Sequence, residues 1–256
     1  VIKIHQETFG QGKPIVLVHG WAMHTGIWRN FAKALAQHYQ VTCIDLPGHG
    51  RSEKINPFTL EQMSNALVKA VPYAQCCWMG WSLGATVVLE IAHRFPERVD
   101  KLVLLAGNPA FMQSGSWPGM KHKLLDDFAE NLQANCQATL FRFLSLQVNG
   151  LEDSKSMLRE LKQAVSECDA PSPETLQGGL DVLKQADLRP ALSGLKQPLA
   201  VILGTRDTLV PVAIGQKIQQ LNKACELTII DKAGHVPFLS HQQELIASIS
   251  RFMETR

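Results

Sequence analysis

Long apolar runs are missing from this chain. The two longest, residues 102–106 and 199–203, are five residues each, against the roughly 20 that a membrane-crossing helix needs. A surplus of one charge is missing too: 25 Lys and Arg against 23 Asp and Glu leave +2, too little for the basic domain that wholesale nucleic-acid binding requires. Metal-binding spacing is absent as well. The six cysteines, Cys43, Cys76, Cys77, Cys136, Cys168 and Cys225, form no CxxC or Cys/His pattern, so no metal and no cofactor is expected, and they read as reduced, mostly buried small apolar residues. Val1 to Thr8 lack a basic stretch followed by an apolar one, so the expected location is the cytoplasm. No repeat or low-complexity segment interrupts the chain.

What is present is a globular composition, 45% apolar and 19% charged over 256 residues. That is enough chain for one large α/β domain, or for a core with an insertion. Short β-branched runs alternate with amphipathic segments, the pattern of βαβ units on a parallel sheet. Strands are expected at 14–19, 40–45, 76–80, 101–106, 199–203 and 227–230. Ile27, Phe31, Ala34, Leu35 and His38 share one helical face, Thr59 to Gln62 form a capping box, and a helix from Leu83 to Arg94 stops at Phe95-Pro96. A helix follows Pro211, and a last one is expected to be capped by Ser240. Between about 111 and 190 the alternation stops and helix formers dominate. The reading is therefore a core of 1–110 and 191–256, with 111–190 as a helical lid inserted into it.

The chemistry centres on Gly80-Trp-Ser-Leu-Gly84, a G-x-S-x-G placed between a strand and a helix. There a tight turn lifts the Ser82 hydroxyl clear of the sheet edge. A serine hydroxyl is a weak nucleophile; it needs a base, and the base needs an orienting acid. Asp207 follows the strand 199–203 and His235 follows the strand 227–230, each on a loop at a strand's carboxyl end. His19 and His49 are expected to be structural, and His24 is expected on a helix or surface loop without a partner. Asp231, four residues before His235, reads as a turn residue. Two N–H donors must face the oxyanion of the tetrahedral intermediate, and the Leu83 and Trp21 amides are expected to supply them.

Val-His-Gly-Trp (18–21), Asp-Leu-Pro-Gly-His-Gly-Arg-Ser (45–52), Gly-Trp-Ser-Leu-Gly (80–84) and Gly-His-Val-Pro-Phe (234–238) resemble the α/β-hydrolase superfamily, whose chain order of nucleophile, acid and base is also the order here. More narrowly, Trp-Arg (28–29), Trp-Pro-Gly (117–119), Arg-Phe-Leu-Ser-Leu-Gln (142–147) and Gly-Gly-Leu-Asp-Val-Leu-Lys (178–184) resemble the biotin-synthesis carboxylesterases. The resemblance implies hydrolysis of the methyl ester of pimeloyl-acyl carrier protein by Ser82, Asp207 and His235. It also implies helices over the nucleophile, an acyl channel beneath them, and basic lid residues that meet the acidic carrier.

Trp21, Trp81, Trp117, Phe128, Phe141 and Phe143 are the expected channel wall. For the carrier, Lys155, Arg159 and Lys162 fall within roughly a 60° sector of one helix at 3.6 residues per turn, and Arg142 is the fourth candidate. Across 121–162, six Lys/Arg are matched by six Asp/Glu, so a solvated helix face is the competing reading. Ala138 stands where relatives lead one to expect a further arginine. A broad short-chain esterase or a carbon–carbon bond hydrolase would keep the same triad, and a non-catalytic small-molecule receptor could use the same fold. A monomer is the expected state.

Overall fold

The computed structural model describes residues 2–255. Seven strands form one sheet in the order β1-β3-β2-β4-β5-β6-β7. They are β1 (Gln6–Phe9), β2 (Pro14–Val18), β3 (Gln40–Ile44), β4 (Cys76–Trp81), β5 (Val99–Leu105), β6 (Leu199–Gly204) and β7 (Glu226–Ile230). Every neighbouring pair is parallel except β1 with β3. β1 is the strand that pattern reading does not find: Gln-Glu-Thr-Phe is a half-exposed edge with no apolar run to mark it.

Strand side chains alternate between two cores. Val16, Val18, Trp78, Leu102, Leu104 and Val201 pack on one side; Ile15, Leu17, Met79, Trp81, Val103 and Ile202 pack on the other. Neighbouring Cys76 and Cys77 divide between the two cores as alternation demands, and all six cysteines are free. Helices α1 (Arg29–Leu35), α2 (Leu60–Ala70) and α3 (Leu83–Arg94) connect the first five strands. The Thr59 hydroxyl caps α2 by accepting from the Gln62 amide, as expected.

Between β5 and β6 come α4 (His122–Ala134), α5 (Cys136–Gln147), α6 (Ser154–Val165), α7 (Pro173–Gln185) and α8 (Arg189–Gly194). The chain finishes with α9 (Ile214–Leu221), α10 (Pro237–Ser240) and α11 (Gln242–Glu254). Ser240 does not cap the last helix. Its hydroxyl is taken by the Val236 carbonyl and the His241 ring, so α11 starts two residues later without a side-chain cap. At the far end of α11 the buried Lys101 ammonium donates to the Phe252 and Thr255 carbonyls, a cation where the helix dipole favours one. Among the described residues no helix is long and apolar enough to cross a membrane.

Parallel register gathers the carboxyl ends of β2, β4, β6 and β7 at one edge: Val18 lies beside Gly80, and Gly204 beside Ile230. Loops carrying Ser82, Asp207 and His235 all leave from that edge, where open α/β sheets place their sites.

Candidate active site

Ser82 occupies the turn between β4 and α3 with φ 56° and ψ −119°, a conformation disfavoured for a side chain with Cβ and held only by its surroundings. The turn closes because its flanks are bare. A methyl group on Gly80 would sit 2.2 Å from the Gly84 carbonyl oxygen, and one on Gly84 would sit 2.3 Å from that of Val18. The start of α3 is thereby pressed against the end of β2.

The structure brings the three expected residues together. His235 Nε2 lies 2.9 Å from Ser82 Oγ, and His235 Nδ1 lies 2.8 Å from Asp207 Oδ2. The other carboxylate oxygen, Oδ1, accepts from the Leu209 and Val210 amides at 2.8 and 3.0 Å. Asp207 is thus locked, and His235 is 1% exposed. An ionised carboxylate only accepts, so Nδ1 carries the imidazole proton and Nε2 offers its lone pair to the Ser82 hydroxyl. That is the geometry in which an imidazole can take the proton of an attacking hydroxyl.

Among the described residues, the Trp21 and Leu83 amides donate to no protein acceptor. Leu83 is the first residue of α3, where N–H groups have no partner within the helix. Gly20 brings the second donor close: a methyl group there would lie 3.1 Å from Ser82 Cβ.

Ser82 opens into a cavity of about 1020 Å³. Its inner wall is aromatic: the Trp21 ring meets Phe143 at 5.0 Å and Phe128 at 5.5 Å. Leu125 of α4 and Leu180 and Leu183 of α7 complete it. The outer part carries Arg142, Asp127 and Glu130.

The α/β-hydrolase fold family matches residues 13–242. The chain belongs to that family. Among curated relatives of this hydrolase, a pimeloyl-[acyl-carrier protein] methyl ester esterase from Methylococcus capsulatus is 41% identical over 96% of this chain and 97% of that one. A protein of the same name from Nitrosomonas europaea is 39% identical over 95% and 97%. Solved structures share the fold at lower identity. An esterase from Exiguobacterium antarcticum has a TM-score of 0.89 at 21% identity, covering 99% of this chain and 96% of that one. An enol-lactonase from Burkholderia xenovorans has a TM-score of 0.85 at 21% identity, covering 99% and 97%.

Of the aromatic residues expected at the channel wall, Trp21, Phe128 and Phe143 line the hydrolase's cavity, and Trp81, Phe141 and Trp117 do not. Trp81 precedes Ser82 on β4 and so points to the opposite face of the sheet. There its indole donates to the His235 carbonyl at 2.7 Å, holding His235 from behind. Phe141 is two residues from Phe143 on α5, hence on a different side of the helix. It is 45% exposed, with Lys162 Nζ 5.3 Å above its ring. Trp117 is buried, its indole spent on the Ala110 carbonyl.

Leu180 and Leu183 escape pattern reading, although Gly178-Gly179 on α7 marks them: a methyl group on Gly179 would lie 2.6 Å from the Trp21 ring. His24, expected on a helix or surface loop without a partner, is buried and accepts from the Gly26 amide. His19 and His49 are fully buried with ring centroids 5.4 Å apart, and burial pushes both imidazoles down to about 3. Asp231 is exposed and accepts from the Thr205 hydroxyl.

Lys155, Arg159 and Lys162 lie exposed on α6, while Met157, Leu161 and Ala164 face inward. The acidic residues that balance them in number are partly engaged elsewhere: Asp127 pairs with Lys123 and Asp126 with Lys184. Arg142, Lys155, Arg159 and Lys162 form no ion pair among the described residues. No group of three or more metal-ligating side chains occurs among those residues.

Proposed function

We propose that the protein is a serine carboxylesterase that hydrolyses the methyl ester of pimeloyl-acyl carrier protein in the synthesis of a biotin precursor. The observation that carries this reading is the Ser82–His235–Asp207 relay at 2.9 and 2.8 Å, set at the end of a largely apolar cavity. It is supported by full-length relatives bearing that name.

Ser82 Oγ attacks the ester carbonyl as His235 Nε2 takes its proton. The oxyanion is held by the Trp21 and Leu83 amides, and collapse expels methanol after His235 returns the proton to the methoxy oxygen. Water, deprotonated by the same imidazole, then releases the acid from Ser82. The sequence consumes one water per ester and calls on no cofactor. Helices within 111–190 serve as the lid, and the acyl chain lies against Trp21, Phe128 and Phe143. A neutral methyl ester suits that wall, whereas the product carboxylate is costly to keep there without a partner. The cations Arg142, Lys155, Arg159 and Lys162, without ion pairs among the described residues, receive the acidic carrier. The site of action is the cytoplasm, and the working form is a monomer.

The test is hydrolysis of a carrier-linked pimeloyl methyl ester followed by intact-protein mass, with Ser82→Ala alongside. The wild type converts the ester to the acid with an acyl-enzyme trapped at Ser82, and Ser82→Ala retains less than about 1% of the turnover. Retention of a tenth or more by Ser82→Ala would overturn the covalent mechanism. Equal kcat/KM on free and carrier-linked esters would return the protein to a broad short-chain esterase.

A further inference from the structure

His19 is fully buried, yet it touches neither Ser82 nor the cavity. Its ring bridges two backbones. Nδ1 lies 2.8 Å from the Gly20 carbonyl oxygen, and Nε2 lies 2.9 Å from the Leu46 amide nitrogen. A carbonyl can only accept and an amide N–H can only donate, so the two contacts together admit a single state, the neutral imidazole protonated at Nδ1. The Leu46 amide thus dictates the tautomer, and the tautomer supplies a donor to Gly20.

Gly20 C=O and Trp21 N–H belong to one planar trans peptide and point in opposite directions. Drawing the carbonyl towards His19 turns the Trp21 N–H the other way. That N–H has no acceptor among the described residues, and its peptide runs beside Ser82, where a methyl group on Gly20 would come within 3.1 Å of Ser82 Cβ. Gly20 has no Cβ to resist rotation of this peptide, so something else must set the plane. The Met23 amide also reaches the Gly20 carbonyl, at 3.3 Å, a longer contact than that of His19.

We infer that His19 is a positioning residue for ester hydrolysis: its Nδ1–H, with the tautomer set by the Leu46 amide, fixes the Gly20–Trp21 peptide so that the Trp21 N–H faces the oxyanion formed at Ser82. The inference rests on the esterase reading for its reaction but not for its substrate. An activated aryl ester therefore tests it even if the pimeloyl ester fails.

Two substitutions separate the two ring nitrogens. His19→Asn places an amide NH₂ near the position of Nδ1 and keeps the donor to Gly20 while losing the acceptor for Leu46. His19→Gln reaches the position of Nε2, keeping the acceptor and losing the donor. A purely structural role ranks the two by thermal stability; the positioning role ranks them by kcat. The expected result is a fall in kcat of about 100-fold for His19→Gln with KM within about threefold, and of no more than about tenfold for His19→Asn, as for loss of one oxyanion donor. Affinity for a boronate that forms a tetrahedral adduct on Ser82 should fall in His19→Gln by the same factor as kcat/KM. Equal kcat in the two variants would overturn the inference and assign the hold to the Met23 amide, as would boronate affinity that follows KM. A measurement on the unaltered protein stands beside these if either variant fails to fold. Nitrogen NMR of the His19 ring at neutral pH should find Nδ1 protonated and Nε2 bare, and the opposite tautomer would overturn the inference outright.

Discussion

Ser82 and Arg142 line the same cavity from walls built on different terms. Behind Ser82 is α3, nine of whose twelve residues are buried, and Asp207 and His235 each have a partner outside the three-residue chain. Asp207 has two backbone amides, and His235 has the Trp81 indole on its carbonyl. Across the cavity, α4 buries only Leu125 and Leu132 of its thirteen residues, and α5 buries three of twelve. Few buried contacts mean low local stability and freedom to move or vary. In the proposed mechanism the reacting atoms thus sit on the well-buried side, and the surface that meets the substrate is carried by helices whose outer faces are free to change.

If this division holds, the largest effects come from the sheet side and fall on kcat alone. Asp207→Asn is the sharpest case. Two amides claim one carboxylate oxygen, so the substituted side chain keeps its carbonyl there and turns its NH₂ towards His235. The imidazole must then accept at Nδ1 and carry its proton on Nε2, facing Ser82 with nothing to receive the hydroxyl proton. A drop in kcat of roughly 10⁴ is expected, as for the same change in serine proteases, with KM little altered. Combining it with Ser82→Ala should add almost nothing. A comparable kcat loss from any exposed α4 substitution would break the comparison.

Acid should reach the sheet side through its buried imidazoles. His19 and His49 stay neutral in the fold down to about 3, whereas in the unfolded chain they take up protons near 6.5. Above that value both states are neutral and the stabilisation is complete. As pH falls from about 6.5 to about 3, the unfolded state binds protons that the fold refuses, and stability declines by about 1.4 kcal/mol per pH unit for each such group. His49→Phe removes one of these protons and a buried ring nitrogen that has no partner among the described residues. Urea unfolding across this range should show a shallower loss of stability in the variant, and parallel curves for the two proteins would refute the assignment.

The sheet side was also the more legible in sequence, for a physical reason. Buried parallel strands are continuous apolar runs, and a turn that admits no Cβ at Gly80 or Gly84 leaves a glycine at a fixed offset from the serine. β1 lacked both signals. The helical wall misled differently: proximity in sequence to Ser82 or to Phe143 does not determine direction. Trp81 alternates to the far face of the sheet, and Phe141 leaves α5 on another side from Phe143. The burial of His24 and the Nδ1–H tautomer of His19 depend on partners 20 or more residues away, such as the Leu46 amide, and no local pattern announces them.

The smallest effects should come from the outer face of α6, and they test whether that face has a partner at all. Lys155, Arg159 and Lys162 are exposed and form no ion pair among the described residues, and Lys162 leans over the exposed Phe141 ring of α5, making one cationic and aromatic surface. Arg142 is left out of the test because it lines the cavity itself. Exposed pairs are worth about 0.2–1 kcal/mol each, so a single reversal should cost at most about fivefold in kcat/KM on a carrier-linked ester. The triple change to Glu should cost more, and the loss should shrink as salt screens the wild-type attraction. A small free ester should be hydrolysed as before. Equal losses on both esters would mean that the helix itself had been disturbed. Unchanged kinetics on both would leave α6 a solvated face, and the choice of substrate would then lie wholly in the aromatic wall of Trp21, Phe128 and Phe143.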